Sequence, residues 1–409
     1  MWIFLIIMGY VIGCLYAAWQ FAWWLKRTRW GHKHKEYGVI ILLCAIDTIP
    51  IFGAFLPQST FDAYLQKIGN MWLGWVAVFG LCLVVGHIIK HFIHMVSTRQ
   101  ATVILLTMFA ITAAYNIYGY IHAQHIYTHY YALKMNTNST ELVDEKLIGH
   151  DYVRINEDMA YQAKADEKIT RVALLADMHM GVNTRYATIE DLVDIVKSSD
   201  VDYIIGGGDY FTSSYVGLFG ADKYADLLAE MTADGTPAYM AYGNHDVTEP
   251  LFCGFAIEKP KDVFRYQDME RFFKRINWQM LGDQAIDVDG IQFFFRKDAS
   301  KTGDGKNERM SVSELGESVE NDRPLVVVQH EPEGYDQLAT IGADLVLSGH
   351  THDGQIWPGT WFTRLVSENS HGYKINDGIS TLVSSGCGYF GPPLRLGSHS
   401  EVVVIDIVR

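Results

Sequence analysis

Five short apolar runs between residues 169 and 348 each end in a small polar cluster, most of them rich in glycine. No other feature of the chain constrains its fold as much. Ile169–Ala176 runs into Asp177-Met178-His179, and Val201–Ile205 into Gly206-Gly207-Gly208-Asp209. Pro237–Tyr242 runs into Gly243-Asn244-His245-Asp246, Leu325–Gln329 into His330-Glu331-Pro332, and Ala343–Ser348 into Gly349-His350-Thr351-His352. Helical patterns such as Thr188–Ser198 and Ala221–Thr232 lie between them. Strands alternating with helices predict a mainly α/β domain. Ligands of such domains gather just past the carboxyl ends of the strands, where the loops converge. Five polar clusters in five such loops therefore predict one site assembled from distant sequence.

The residue types narrow its chemistry. Aspartate, histidine and asparagine without cysteine form a mixed oxygen and nitrogen donor set, suited to hard or borderline divalent metals. The five motifs supply seven candidate donors, Asp177, His179, Asp209, Asn244, His330, His350 and His352, which is more than one ion needs. Two ions ~3.5–4 Å apart can share a bridging carboxylate and a bridging hydroxide, and they clamp the oxygens of an in-line phosphoryl displacement. A lone Asp-X-His or Gly-Asp is an ordinary turn, so the weight rests on all five motifs occurring in this order.

Together, Asp177-X-His179, Gly208-Asp209, Gly243-Asn244-His245-Asp246, His330 and Gly349-His350-Thr351-His352 resemble the signature of calcineurin-like metallophosphoesterases. Gly354-Gln355-Ile356-Trp357-Pro358 and Gly386-X-Gly388-X-X-Gly391-Pro392-Pro393-X-Arg395 resemble one branch more closely, that of membrane-associated bacterial phosphodiesterases and transmembrane proteins with a metallophosphoesterase domain. The resemblance covers about residues 168–409. It implies a four-layer α/β/β/α sandwich with two divalent metal ions, for which Mn, Fe, Zn and Co all suit the donors. One metal would be held by Asp177, His179, Asp209 and His352, the other by Asp209, Asn244, His330 and His350. The resemblance also implies that His245 faces the phosphate as charge stabiliser or acid, that Asp246 orients it, and that a metal-bridged hydroxide attacks. Three departures stand out: Tyr210-Phe211-Thr212 where a second aspartate is frequent, Asp353 where glycine is frequent, and an unusual stretch at Ile291–Asn307.

The rest of the chain is different in kind. Residues 1–123 carry 8 Lys+Arg and 3 Asp+Glu, whereas the remainder nets −19. Four apolar runs, roughly Trp2–Leu25, Gly38–Leu56, Met71–Ile89 and Val103–Ala123, approach the ~30 Å needed to cross hydrocarbon as helices. They predict an α-helical membrane domain of four spans ahead of the α/β domain. The first run has no basic n-region and no small-residue cleavage site, so it reads as a retained span. Lys26, Arg27, Arg29, Lys33 and Lys35 crowd the first connection, the second holds only Lys67, and the third holds Lys90 and Arg99. Basic connections face the cytoplasm, which places both termini outside and the catalytic domain in an extracytoplasmic, periplasmic setting.

Asp47, beside Pro50 in the second run, is an intramembrane carboxylate and so a functional candidate, its plainer reading being a carboxylate hydrogen-bonded between helices or near the outer surface. His87, His91 and His94 fall on one helical face, as do His122, His125 and His129, and both sets read as interfacial. Polar residues 124–167 read as a linker, so the domains are expected at 1–123, 124–167 and 168–409. Cys14, Cys44 and Cys82 lie in apolar runs, leaving only Cys253 and Cys387, which excludes a disulfide framework. The acidic soluble part excludes nucleic-acid wrapping.

The expected function is a membrane-anchored two-metal phosphoester hydrolase, a phosphodiesterase, in a cell (inner) membrane. Acidic surroundings disfavour a free polyanionic substrate, so a phospholipid or lipid-linked phosphate delivered through the bilayer is the favoured substrate. Phe252, Phe255, Phe264, Tyr266 and Phe293–Phe295 serve either as an apolar approach or as core. The rivals are a nucleotide or nucleotide-lipid pyrophosphatase on the cytoplasmic side and a silent sensor that binds metal.

Overall fold

A computed structural model describes residues 2–28, 35–48, 60–92, 97–137, 139–149, 160–212, 218–248, 251–252, 255–256, 267–304 and 308–409. The chain divides into two compact units, one of residues 1–121 with 250–257 and 391–394, the other of 122–249, 258–390 and 395–409.

In the first unit the apolar runs form helices α1 (Trp2–Arg27), α2 (Lys35–Asp47), α3 (Thr60–Phe92) and α4 (Thr98–Ala123). Among the described residues, Tyr64–Ile89 and Thr98–Ala123 are long and apolar enough to cross a membrane. The second predicted span is shorter than expected: α2 ends at Asp47, and Pro50 lies outside the described residues. Trp24, Leu83, Ala101, Leu105 and Met108 form the buried heart of the helices. Asp47 takes the interhelical role, its Oδ1 accepting from Trp72 Nε1 at 2.8 Å. It lines an apolar cavity of about 280 Å³ with Cys14, Phe21, Trp75 and Phe79. His87 Nδ1 lies 2.7 Å from Gln20 Nε2; His94 lies outside the described residues.

The second unit is an α/β domain of two mixed sheets. The larger contains β1 (Ile126–Asn136), β2 (Ser139–Ile148), β3 (Ile169–Leu175), β4 (Tyr203–Gly206), β5 (Ala238–Ala241), β8 (Trp278–Leu281) and β15 (Ser400–Val408), in the order β2-β1-β15-β3-β4-β5-β8. A short antiparallel hairpin, β6 (Leu251–Phe252) and β7 (Phe255–Ala256), belongs to the first unit. The smaller sheet contains β9 (Gln284–Val288), β10 (Ile291–Phe295), β11 (Leu325–Val328), β12 (Leu345–Ser348), β13 (Gly372–Asn376) and β14 (Ile379–Val383), in the order β13-β14-β12-β11-β10-β9.

One buried cluster takes Val172, Leu174, Ile205 and Ile405 from the larger sheet and Phe293, Phe295, Val326 and Leu345 from the smaller, so the sheets pack face to face. On its outer face the larger sheet buries Leu192 and Val196 of α5 (Tyr186–Ser198), Tyr224 of α6 (Ala221–Leu228) and Phe272 of α7 (Gln267–Arg275). The smaller sheet covers its own with Leu315 of α8 (Val312–Ser318) and Leu338 of α9 (Tyr335–Ala339). Strand β15 is buried along its whole length, as a central strand covered on both faces must be, and Val402–Ile405 is accordingly an unbroken apolar run.

Three expectations are corrected here. Residues 124–167 are not simply a linker, because β1 pairs in parallel with β15 and antiparallel with β2 to extend the larger sheet. Tyrosine-rich β1 has the side chains strands favour, and β2 alternates exposed and half-buried residues along Ser-Thr-Glu-Leu-Val-Asp-Glu-Lys, the period of a charged edge strand. Helix α4 stops at Ala123, so His122, His125 and His129 do not share a helical face. Phe293, Phe294 and Phe295 form β10 and are fully buried, which makes them core and not an apolar approach. Phe264 and Tyr266 lie outside the described residues, as do Phe252 and Phe255 in their side chains.

Candidate metal centre

The five polar clusters follow the carboxyl ends of β3, β4 and β5 in one sheet and of β11 and β12 in the other. β3, β4 and β5 run parallel, as do β11 and β12. The backbone continues past the β3–β4 ladder: Asp177 N–H donates to Gly208 O at 2.9 Å and His179 N–H to Asp209 O at 3.0 Å. Five of the seven predicted donors, Asp177, His179, Asp209, His350 and His352, have φ between 45° and 74°. A left-handed backbone at non-glycine residues costs free energy and concentrates where function demands it. Gly349 shows why a missing side chain is also needed: a Cβ there would meet Asp177 Oδ2 at 2.3 Å.

The seven donors form two groups. In the first, His179 Nε2 lies 3.0 Å from His352 Nε2 and 3.9 Å from Asp177 Oδ1, which is 3.6 Å from His352 Nε2. In the second, His350 Nδ1 lies 3.2 Å from both His330 Nε2 and Asn244 Oδ1. Asp209 Oδ2 belongs to both, 3.6 Å from His179 Nε2 and 3.0 Å from His330 Nε2. Donors bound at ~2.0–2.2 Å to one tetrahedral or octahedral ion stand roughly 3–3.6 Å apart, so the spacing suits a divalent metal in each group.

Hydrogen bonding makes the stronger case. His330 Nδ1 lies 2.8 Å from Gly207 O, which can only accept, so the ring's proton is on that side. His330 Nε2 and the Asp209 carboxylate need a positive charge between them: burial would lower the ring, but without metal Asp209 overcomes this and holds it well above its ordinary value, and a bound cation would take that proton's place. A backbone carbonyl holding the far nitrogen is the usual outer support of a metal-ligating histidine. Burial pushes the His179 ring down to about 3 and the His350 ring to about 4, so both are neutral at pH 7, the form that donates to a metal. Burial alone would raise Asp209, but the His330 and His245 rings beside it overcome this and hold it well below the usual carboxylate range.

Around these groups the expected supports are partly redistributed. Asp246 was expected to orient His245. Instead its carboxylate accepts from the backbone N–H of Asp209, Gly243 and Tyr210 at 2.8 Å each, and of Phe211 at 3.1 Å. It ties the loop carrying Asp209 to the turn carrying Asn244. The half-buried His245 ring stacks on Phe390 with centroids 4.8 Å apart, and its backbone N–H donates to Asp209 Oδ1 at 2.7 Å. Asp353 does not add a free carboxylate to the metals: Arg364 Nη2 and Nε hold it at 2.6 and 3.1 Å. Its φ of 47° is one that glycine adopts without strain.

Sequence reasoning missed Arg395 as a support. Its guanidinium, fully buried, donates to the carbonyls of Ser385 and Gly388 at 2.6 Å each and of His352 at 3.1 Å, pinning the loop that packs on Asp177. Its place in the Gly-Pro-Pro-X-Arg stretch was the available signal. For Phe390 the sequence offers none.

Two donor groups sharing one carboxylate, at the carboxyl edges of two mixed sheets, give this α/β domain side-chain clusters that could hold metal ions. Residues 170–354 match the family model of calcineurin-like phosphoesterases, and the chain carries a domain of that family. A Helicobacter pylori protein described as an uncharacterized metallophosphoesterase is 26% identical over 267 residues, 62% of this chain and 64% of its own length. A transmembrane protein with metallophosphoesterase domain from Danio rerio is 28% identical over 239 residues, covering 58% and 52%. An uncharacterized metallophosphoesterase of Aquifex aeolicus is 28% identical over 241 residues, covering 57% and 82%. The chain thus spans less than two thirds of the length of the first of these relatives.

Proposed function

We propose that this protein is a membrane-anchored, two-metal phosphodiesterase whose substrate is a phospholipid or lipid-linked phosphate. The single observation that carries the hydrolase reading is the pair of donor groups joined by Asp209. Asp177, His179, Asp209 and His352 would hold one metal, and Asp209, Asn244, His330 and His350 the other. Bound there, two divalent ions would supply Lewis-acid activation and neutralise charge on the phosphoryl oxygens. His245 stands beside both groups as the residue that would touch substrate, stabilising charge or protonating the leaving oxygen. Phe390, stacked on the ring, and the Asp209 carboxylate, which receives its backbone N–H, fix where that imidazole points.

The lipid preference is supported by helix α10 (Gly359–Val366), which follows the His352 segment and is tied to it by the Arg364–Asp353 pair. Its Trp361, Phe362, Leu365 and Val366 are 63, 61, 63 and 65% exposed, and Trp357 just before it is 54% exposed. An apolar, tryptophan-bearing surface of this kind suits the boundary between headgroups and acyl chains. Anchoring by four spans, with the catalytic domain on the extracytoplasmic face, is supported by the two apolar helices, the basic first connection and the printed names of the transmembrane relatives.

The test is hydrolysis of bis-p-nitrophenyl phosphate and of phospholipid vesicles by the detergent-purified protein, with Mn²⁺, with chelator, and in the Asp209→Asn variant. Metal-dependent turnover lost in the variant is expected. Trp361→Ala/Phe362→Ala is expected to slow vesicle hydrolysis while sparing the soluble ester. No turnover by a folded protein that binds two ions would favour the sensor. A reporter fused at the C-terminus and active only in the cytoplasm would overturn the orientation.

A further inference from the structure

Outside that centre, the described residues bring together one more set of convergent donors: His129 of β1, Glu401 of β15 and His371, which leads into β13. One donor atom from each lies within 4.8 Å of the others. They come from both sheets, and none is an assigned part of the centre. The Glu401 side chain is 1% exposed, that of His129 9% and that of His371 23%. Buried charges persist when paired or bound to metal, so a carboxylate this deep between two imidazoles calls for an account.

The hydrogen bonds supply one. Glu145 Oε1 lies 3.0 Å from His129 Nε2 and can only accept, which places the proton of a neutral ring on that side. Nδ1 then faces the Glu401 Oε2 carboxylate oxygen, which can only accept, and the Tyr131 hydroxyl, which can donate, both at 3.2 Å. His371 Nε2 approaches the same carboxylate from its other flank, at 3.1 and 3.2 Å. The Tyr131 hydroxyl, 3.2 Å from His129 Nδ1, adds a fourth oxygen. An outer carboxylate on a ligating histidine is the recurrent support of zinc sites, and two imidazoles with one carboxylate form a recognised zinc donor set.

We propose that His129, His371 and Glu401 bind an additional divalent cation of the zinc class, separate from the catalytic pair, with Glu145 orienting His129. The site is structural in character. It clasps β1 and β15 of one sheet to the approach to β13 of the other. Glu401 also accepts from Ser385 N–H at 2.7 Å, within the loop whose Gly388 N–H donates to Asp177 O at 2.9 Å. The cation would therefore also brace the back of the catalytic loop. The competing account is protons in place of metal: His371 Nε2–H donating to Glu401, which overcomes burial and raises that ring above its ordinary value, and a second proton on His129.

The experiment is a metal count on the full-length protein in detergent, stripped with chelator, dialysed against Zn²⁺ and measured by inductively coupled plasma mass spectrometry. Parallel samples carry His371→Ala, His129→Gln and Glu401→Gln. The expected result is three zinc ions per chain in the parent and one fewer in each variant, while Asp209→Asn still fills this site. Should buried Glu401→Gln fail to fold, the half-exposed His371→Ala decides, with circular dichroism as the folding check. A parent binding no more than two ions, or a folded His371→Ala binding as many as the parent, overturns the proposal. Either result leaves the hydrolase reading intact, because bis-p-nitrophenyl phosphate turnover reports on that independently.

Discussion

Replacing Asp246 by asparagine separates two roles that its place beside His245 makes easy to confuse. In the structure each carboxylate oxygen accepts two backbone N–H groups: Oδ1 those of Tyr210 and Phe211, Oδ2 those of Asp209 and Gly243. Asparagine keeps one accepting oxygen and turns an NH₂ group toward the other two donors. Two buried N–H groups then lose their partner, and each unsatisfied group costs about 1–3 kcal/mol. The expected destabilisation is about 2–6 kcal/mol, a large part of a typical domain's stability.

At about 2–4 °C per kcal/mol for a domain of this size, the midpoint of thermal unfolding falls by roughly 4–24 °C. Differential scanning fluorimetry of the metal-free protein reads that shift without any contribution from catalysis. Metal content should fall as well, because the loop holding Asp209 and the turn holding Asn244 lose their common anchor. If Asp246→Asn leaves the midpoint and the metal count unchanged and moves only the pH profile of turnover, the backbone role assigned here is wrong and a partner role for His245 is restored.

Other perturbations follow from the same geometry. His245→Ala should lower turnover by about 10²–10⁴-fold with both catalytic metals retained, a split read by combining kinetics with metal analysis. Gly349→Ala places a methyl 2.3 Å from Asp177 Oδ2 and 2.8 Å from Ala176 Cβ; overpacking of about 1–3 kcal/mol and weaker metal binding at the Asp177 group are expected, measurable by titration with Co²⁺. In the metal-free protein His179 and His350, held at about 3 and about 4, protonate more readily once unfolded, where the ordinary value is 6.5. At these two rings the unfolded state therefore binds more protons below pH 6.5, so their contribution to stability drops as pH falls from there toward about 4, against an opposing contribution from Asp177, Asp246 and Glu331, which burial pushes up to about 7. Chemical denaturation of the parent and of His350→Ala at several pH values isolates the histidine contribution, and a variant with the parent's pH dependence would contradict it.

What the chain alone made legible was the α/β class of the domain and the set of candidate donors that its loops bring together. Apolar runs of strand length each ending in a glycine-bounded cluster can place those clusters only at strand ends, and the donors' chemical types state what they bind. Asp177, His179, Asp209, Asn244, His330, His350 and His352 could therefore be named without coordinates. Tertiary structure decided how the donors divide and what supports them. Asp246 spends its carboxylate on four backbone amides, which carry no side-chain signature, and Asp353 finds its partner eleven residues away in Arg364. Strands β1 and β2, polar enough to read as a linker, join the sheet because β15 offers an edge to β1, its paired residues 274 positions later in the chain. His129, His371 and Glu401 belong to no motif and meet only where two sheets pack together. Local pattern reports what a segment prefers by itself, whereas contacts between distant segments depend on register and packing, which no short stretch of sequence contains.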